Sequence, residues 1–479
     1  MPSSTEMPTD LGRAYRELFG RGAVYTVATG LQLAAAVIAL PILTRVLDAE
    51  AYGRVAVVMI AAQILTFVAA NGFTVGITRD YFGSDGVAVT RRLVGAGTIA
   101  AAAVGIVAHA SGVLWAPLFG AGYDRSLQLA VAIGAFQGVL DIAQSHLRVA
   151  GRVGRFVGTS LLRTVGGPVL GIVLVMATDG GPATFLAGMA AASAASAVLG
   201  LLCAPVAAPR RGDRDVVRRT LRVGLPTVPH SLALLMVAGI DRVLVERIVG
   251  IEAAGRYYVA YVVATLPVLA VQALNNAWSP LVVGAGRERW SLLADTGATV
   301  VVAAGAAGAA VAVAAPVLLT LSAPGEYQPD DLVHVVAGIA IAAPLFASYT
   351  ASVLCLIAAG RTAALMWITP AVAVLNIALN LALLPELGLG GAAIATVAAY
   401  GAQAFLVRRA TNRIAAVPWR PATEIGAFAI AGAGASLSWL LPTDWWVPRL
   451  LLALAIGVAL LAVARRLLRR RPVVEPVLA

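Results

Sequence analysis

The chain has 479 residues, 60% of them hydrophobic and 12% charged, with a formal net charge of +11. Its mean hydropathy of +0.87 excludes a soluble globular protein, and no interval between its apolar runs is long enough for a soluble domain of about 50 residues. All 35 basic residues are arginine and they are spread among the loops, which argues against a nucleic-acid-binding patch.

Apolar stretches of about 20 residues cross a bilayer as helices. They predict an all-α polytopic membrane protein of about 14 spans. Residues 1–21 form an N-terminal segment with Arg13, Arg16 and Arg21. The run that follows is too long for a signal-peptide core and is read as a retained helix. Span 1 covers 22–44 and span 2 covers 52–77. Spans 3 to 6 cover 93–114, 126–147, 156–177 and 183–206. Residues 207–222 hold Arg210, Arg211, Arg214, Arg218, Arg219 and Arg222, and form the seam between two halves. The amphipathic second part of this linker is expected on the membrane surface.

Span 7 (223–248) opens Gly224-Leu-Pro226-Thr-Val-Pro229, where two prolines should bend or break the first turns. Span 8 covers 256–283, and spans 9 to 12 cover 292–321, 331–358, 363–384 and 389–407. The second half thus ends at 407. A basic linker and spans 13 (423–441) and 14 (447–464) fill 408–464, and 465–479 is a basic tail.

One ten-residue stretch occurs twice. Residues 45–54 and 247–256 share Arg45/Arg247, Glu50/Glu252, Ala51/Ala253, Gly53/Gly255 and Arg54/Arg256. Each copy ends one apolar run and opens the next, so the same helical corner is expected in both halves of an internal repeat. Charge sets the orientation. With both termini cytoplasmic, 27 arginines fall on the cytoplasmic side, seven at the opposite side or at helix ends, and Arg163 within a span.

Ionisable groups inside spans are candidates for function. Asp141 and Arg163 lie at similar depth in antiparallel spans 4 and 5 and are expected to be neighbours; snorkelling with simple neutralisation is the alternative. Gln137, Asp141, Gln144 and Arg148 share one helix face, to be met by a partner helix or a wet cavity. Asp241 and Arg242 are adjacent and point about 100° apart, so at least one needs a further partner. Asn71, Asn275, Asn276, Asn376 and Asn380 either line a cavity or join helices. Arg79 follows span 2. Cys203 and Cys355 form no zinc pattern, the four histidines show no ligand spacing, and no phosphate-cradling or nucleophile motif is present. No cofactor or metal is expected.

Pro41-Ile-Leu-Thr-Arg45-Val-Leu with Ala51-Tyr52-Gly53 resembles the opening of Wzx-type polysaccharide flippases. So does Gly224-Leu-Pro226 followed by Asp241-Arg242 and Gly255-Arg256-Tyr257. The run from Leu375-Asn376 through Asn380, Leu384-Pro385 and Gly388-Leu-Gly-Gly-Ala392 to Thr396 is similar to that family's span 11–12 hairpin. The resemblance covers about 20–410. It implies the superfamily of multidrug MATE exporters and lipid II flippases, with two pseudo-symmetric six-helix lobes (22–206 and 223–407) plus a C-terminal pair. It further implies flipping of an undecaprenyl-diphosphate-linked oligosaccharide from the cytoplasmic to the outer leaflet of a bacterial inner membrane. Arg45, Asp241 and Arg242 fall on family motif positions. Asn71, Arg79, Asp141, Gln144, Arg148, Arg163 and Asn275 are substrate-site candidates from depth and polarity alone.

The implied partners are the lipid-linked oligosaccharide, the bilayer and other polysaccharide-assembly membrane proteins, with no nucleic acid. No coupling-ion site aligns, so coupling to an H+ or Na+ gradient stays open. A MATE-like small-molecule exporter is the nearest alternative. A membrane polymerase or glycosyltransferase is another, disfavoured because every external connection is short.

Overall fold

The computed structural model describes residues 38–81, 85–120, 122–204, 206–225, 227–284 and 289–469. The expected N-terminal segment, most of span 1 and the tail beyond 469 lie outside these residues. The side chains of Asn71 and Asn276 do too.

The described residues are helical, with no strand among them. Helix α1 runs 38–46. It meets α2 (Ala49–Asp80) at the first corner, where Asp48 caps α2 by accepting from the Ala51 N–H. Helices α3 (Gly86–Ala110), α4 (Arg125–Val149), α5 (Val153–Thr178) and α6 (Pro182–Cys203) follow. The linker contains a real helix, α7 (Arg214–Gly224). A turn at Leu225 separates it from α8 (Thr227–Ile248), and Pro226 lies outside the described residues. Then come α9 (Ile251–Ala264), α10 (Leu266–Gly284) and α11 (Arg289–Ser322). The chain closes with α12 (Val333–Ala340), α13 (Ala342–Ala358), α14 (Leu365–Leu387), α15 (Leu389–Asn412), α16 (Pro421–Leu440) and α17 (Trp446–Arg469).

Ten helices are long and apolar enough to cross a membrane, or eleven when the bent α9–α10 pair counts as one span. They correspond to expected spans 2 to 12. Spans 13 and 14 exist as helices α16 and α17 but are not among the ten, and span 1 is described only from residue 38. Fourteen membrane crossings are therefore not established.

Three breaks have identifiable causes. Span 8 bends by 50° between α9 and α10. Pro267 lacks an N–H there and its ring displaces the carbonyl four residues back. Expected span 10 breaks between α12 and α13, three residues before Pro344. Helix α5 contains a π-turn at Leu162–Gly166, directly before Gly167-Pro168. Expected span 12 also runs further than its apolar stretch, because α15 continues through Arg408 to Asn412.

Small residues set the packing. Lipid tails are as apolar as leucine, so helices associate in a membrane through close contact rather than hydrophobic expulsion. Alanine and glycine let backbones approach along α2 against α4, α11 against α16, and α5 against α6.

Candidate functional site

The two copies of the repeat meet each other. A Cβ on Gly53 would lie 2.8 Å from the Gly255 nitrogen and closer still to the Ile251 carbonyl. A Cβ on Gly255 would lie 2.9 Å from the Gly53 nitrogen and closer still to the Ala49 carbonyl. The first turns of α2 and α9 are thus pressed together backbone to backbone, at a distance only glycine permits.

The last arginine of each copy does the same work. Arg54 donates to the Phe119 carbonyl at 3.1 Å and pairs with Asp124 at 2.8 Å. Arg256 donates to the Tyr327 carbonyl at 3.2 Å and pairs with Asp331 at 3.2 Å. With the bent α9–α10 pair taken as one span, each ties its span to the connection that follows the next one. Further contacts join the halves at this corner end of the bundle. The Tyr327 hydroxyl donates to the Leu47 carbonyl at 2.6 Å, and Thr44 donates to the Ser322 carbonyl at 2.6 Å. Burial, then Glu326 and Asp48, push the Tyr327 phenol well up, so it remains a donor. Arg45 is exposed here and reaches the carbonyls of Pro41 at 2.6 Å and Leu321 at 3.4 Å. The Glu246 carboxylate sits against Gly120, whose φ of +71° leaves no side chain in the way. One Glu246 oxygen is buried without a hydrogen-bond partner.

Asp241 and Arg242 lie on α8, one turn and a half deeper. Both are buried, and they take different partners. Asp241 accepts from the Tyr257 hydroxyl at 2.6 Å and from Thr396 at 3.3 Å. The Arg242 guanidinium lies over the rings of Tyr258, at 4.3 Å, and Tyr261, at 4.6 Å. Its Nε is buried and unpartnered. Tyr258 in turn stacks on Tyr52 of α2, ring centroids 5.1 Å apart. The corner and the buried arginine are therefore joined through two aromatic rings, one from each half.

Asp141 and Arg163 are neighbours, 2.8 Å apart and 31% and 25% exposed. Arg163 lies in the π-turn of α5, which rotates it toward α4. The remaining candidates are dispersed. Gln144 is buried and donates to Thr159 and Ser160, both at 3.0 Å, so it joins α4 to α5. Arg148 is exposed and lies over Phe156 at 5.2 Å. Arg79 pairs with Asp80 at 3.0 Å. The Asn275 side-chain oxygen is buried and unpartnered. Asn376 and Asn380 are fully buried; Asn380 donates to the Asn376 carbonyl at 2.9 Å. The nine candidates with described side chains do not converge on a single point.

Two arginines, one buried and one half-buried, carry structure that the sequence reading missed. Arg449 is 0% exposed and donates to the carbonyls of Val313, Ser438, Leu441 and Pro442. It fastens α17 to α16 and α11. Arg408 pairs with Glu424 at 2.9 Å, donates to Ser348 and Ser352, and lies over Trp419 at 3.5 Å. It fastens α15 to α13 and α16.

This helical architecture, with two copies of one corner closing the same end of the bundle, is that of a polytopic membrane protein. It superposes on the lipid II flippase MurJ in an inward closed conformation with a TM-score of 0.72, at 12% identity, covering 94% of this chain and 100% of that one. An inward-facing multidrug resistance MATE family transporter of the MOP superfamily matches with a TM-score of 0.64 at 15% identity, covering 83% and 95%. An outward-facing structure described in the same terms gives 0.51 at 15% identity, covering 84% and 93%. No curated protein matches the chain. The polysaccharide biosynthesis protein family matches residues 20–284, and the chain belongs to that family.

Proposed function

We propose that this protein flips an undecaprenyl-diphosphate-linked oligosaccharide from the cytoplasmic to the outer leaflet of a bacterial inner membrane, for surface polysaccharide biosynthesis, by alternating access. The observation that carries the reading is the Gly53–Gly255 corner joined through Tyr52 and Tyr258 to Arg242. With the corner closed, one end of the bundle is sealed and Arg242 is sequestered. When the corner parts, Tyr52 leaves Tyr258, and the ring that covers Arg242 loses the support behind it. A guanidinium with a free Nε is then available to a diphosphate, which its planar fork recognises.

The excess of arginine on the linker side supports placing both termini in the cytoplasm and the closed corner outside. The better superposition on the inward-facing exporter than on the outward-facing one supports the same assignment. The chain acts in this reading as a transporter and not as an enzyme, and the glycan's hydration is met by water and polar side chains in the opened cavity.

The test is complementation of a deletion strain of the source organism. Arg242→Ala should leave surface glycan absent and glycan-lipid retained on the cytoplasmic leaflet, with Arg242→Lys restoring part of it. Normal surface glycan with raised drug sensitivity in the deletion strain would replace this reading with that of an ion-coupled exporter. The unpartnered buried oxygen of Glu246 is the feature that favours that second reading.

A further inference from the structure

Helix α7 presents two adjacent rows to one groove. Arg214, Arg218 and Arg222 follow at four-residue steps, with Arg210 on extended backbone just ahead of the helix, and Val217, Leu221 and the C-capping Leu225 follow at the same steps beside them. Both rows line a groove of about 600 Å3. All four arginines are exposed, and none forms an ion pair among the described residues. Like charges four apart on a helix repel. The nearby carboxylates do not relieve them: Asp213 is taken by the Arg210 backbone N–H at 2.7 Å and by Arg92 at 2.9 Å, and Asp215, in the first turn of α7, forms no ion pair among the described residues.

The other side of α7 is fixed. Thr220 is buried against Gly76, Gly224 is pressed on the backbone of Gly72, and the half-buried Val217 and Leu221 pack one edge on the same part of the bundle, leaving their other edge and the exposed Leu225 to the groove. One turn beyond Gly76, α2 turns from apolar to charged at Arg79 and Asp80, where it ends. Helix α7 is therefore held at the level where hydrocarbon gives way to headgroups, and its arginine row cannot turn away. A cation row beside an apolar row at that depth matches a ligand with a phosphate at one end and a hydrocarbon chain at the other.

We propose that this groove binds acidic phospholipids of the adjoining leaflet, with the headgroup phosphate on Arg214, Arg218 and Arg222 and an acyl chain along Val217, Leu221 and Leu225. The site is separate from the ten cargo candidates and does not depend on the cargo. Its occupant neutralises the row and holds the linker between the two halves against the membrane.

The test uses the purified full-length protein in neutral detergent, titrated with short-chain phosphatidylglycerol, short-chain phosphatidylcholine and inorganic phosphate. The wild type should bind phosphatidylglycerol and lose affinity as salt is raised. The triple variant Arg214→Ala/Arg218→Ala/Arg222→Ala should bind about 100-fold more weakly, at the usual attraction per basic residue near an anionic surface. The corresponding triple lysine variant should bind nearly as the wild type does, and Arg409→Ala/Arg413→Ala, in another basic region, should change nothing. Equal binding by the alanine variant overturns the proposal. So does equal affinity for phosphatidylcholine, or displacement by inorganic phosphate at matched concentration, which would mark a bare anion site. If the alanine variant does not fold, salt-independent binding by the wild type overturns it equally.

Discussion

Gly53 and Gly255 hold the same place in two copies of one sequence, and they touch each other across the molecule. Each occupies the space that a side chain on the other's helix would need. The repeat is thus also an interface. The corner that each half contributes is the surface by which the halves close, and Arg54 and Arg256 brace it in the same way from opposite sides.

Gly255→Ala places a methyl group against backbone, which has no rotamer by which to yield. The closed corner should lose stability by about 3 kcal/mol or more, at the upper end of overpacking costs. Leu47, buried beside the corner, reports the change. A cysteine at position 47 should react faster with a water-soluble maleimide in the Gly255→Ala background. An unchanged rate would mean that the corner opens by another route.

Arg54→Ala and Arg256→Ala should have effects of the same sign and similar size. Each removes one carbonyl hydrogen bond and one ion pair to an exposed carboxylate, worth together about 1–2 kcal/mol. Asp331→Asn should cost less than Arg256→Ala, because the bond to the Tyr327 carbonyl survives. Thermal melts in detergent compare the three, and a large difference between the two arginine variants would separate the roles of the two copies.

Arg449→Met fills a similar volume but leaves several buried carbonyls without a donor. It should cost about 3 kcal/mol and loosen α17. Arg449→Lys should rescue little, since one ammonium cannot reach carbonyls on both α11 and the α16–α17 turn. Limited proteolysis between α16 and α17 should accelerate in both variants; protection equal to the wild type would contradict the fastening role.

Asp213 gives a pH dependence. The Arg210 backbone N–H, and then Arg92, hold its carboxyl below the usual carboxylate range, against a smaller upward effect of burial. A depressed folded pKa stabilises above the unfolded value of about 3.9, and that contribution is lost as pH falls through the folded value. The protection factors of amides in 207–222, taken relative to intrinsic exchange at each pH, should therefore stay high at neutral pH and fall on acidification below about pH 4. Asp213→Asn should exchange faster at neutral pH and lose that acid response.

The repeat was readable in the sequence because the contact it builds needs glycine and arginine, which the two copies share. The Asp141–Arg163 pair was readable because depth along antiparallel spans brings its members level. Asp241 and Arg242 stood out as intramembrane charges, but their partners did not, because Tyr257, Tyr258 and Tyr261 pass for ordinary apolar-span residues. The signal was there in outline: Tyr257 and Tyr261 are four apart and follow directly on the second corner. Arg449 was counted only for its charge, since its partners are carbonyls, which no sequence pattern marks. Arg408 was assigned to a linker because α15 outlasts its apolar stretch, stabilised by Glu424 on a helix not yet reached in the chain. The bend between α9 and α10 had its cause in plain view at Pro267.

In the proposed cycle, opening and closing of the corner moves a lipid-linked oligosaccharide across the membrane. It is tested most directly with the purified protein in vesicles that carry a labelled undecaprenyl-diphosphate oligosaccharide. A membrane-impermeant glycosidase reports the fraction exposed outside. Exposure should be faster with the wild type than in protein-free vesicles, and should return to the protein-free rate with Arg242→Ala. Exposure no faster than in protein-free vesicles, in preparations that do transport a cationic drug, would contradict it.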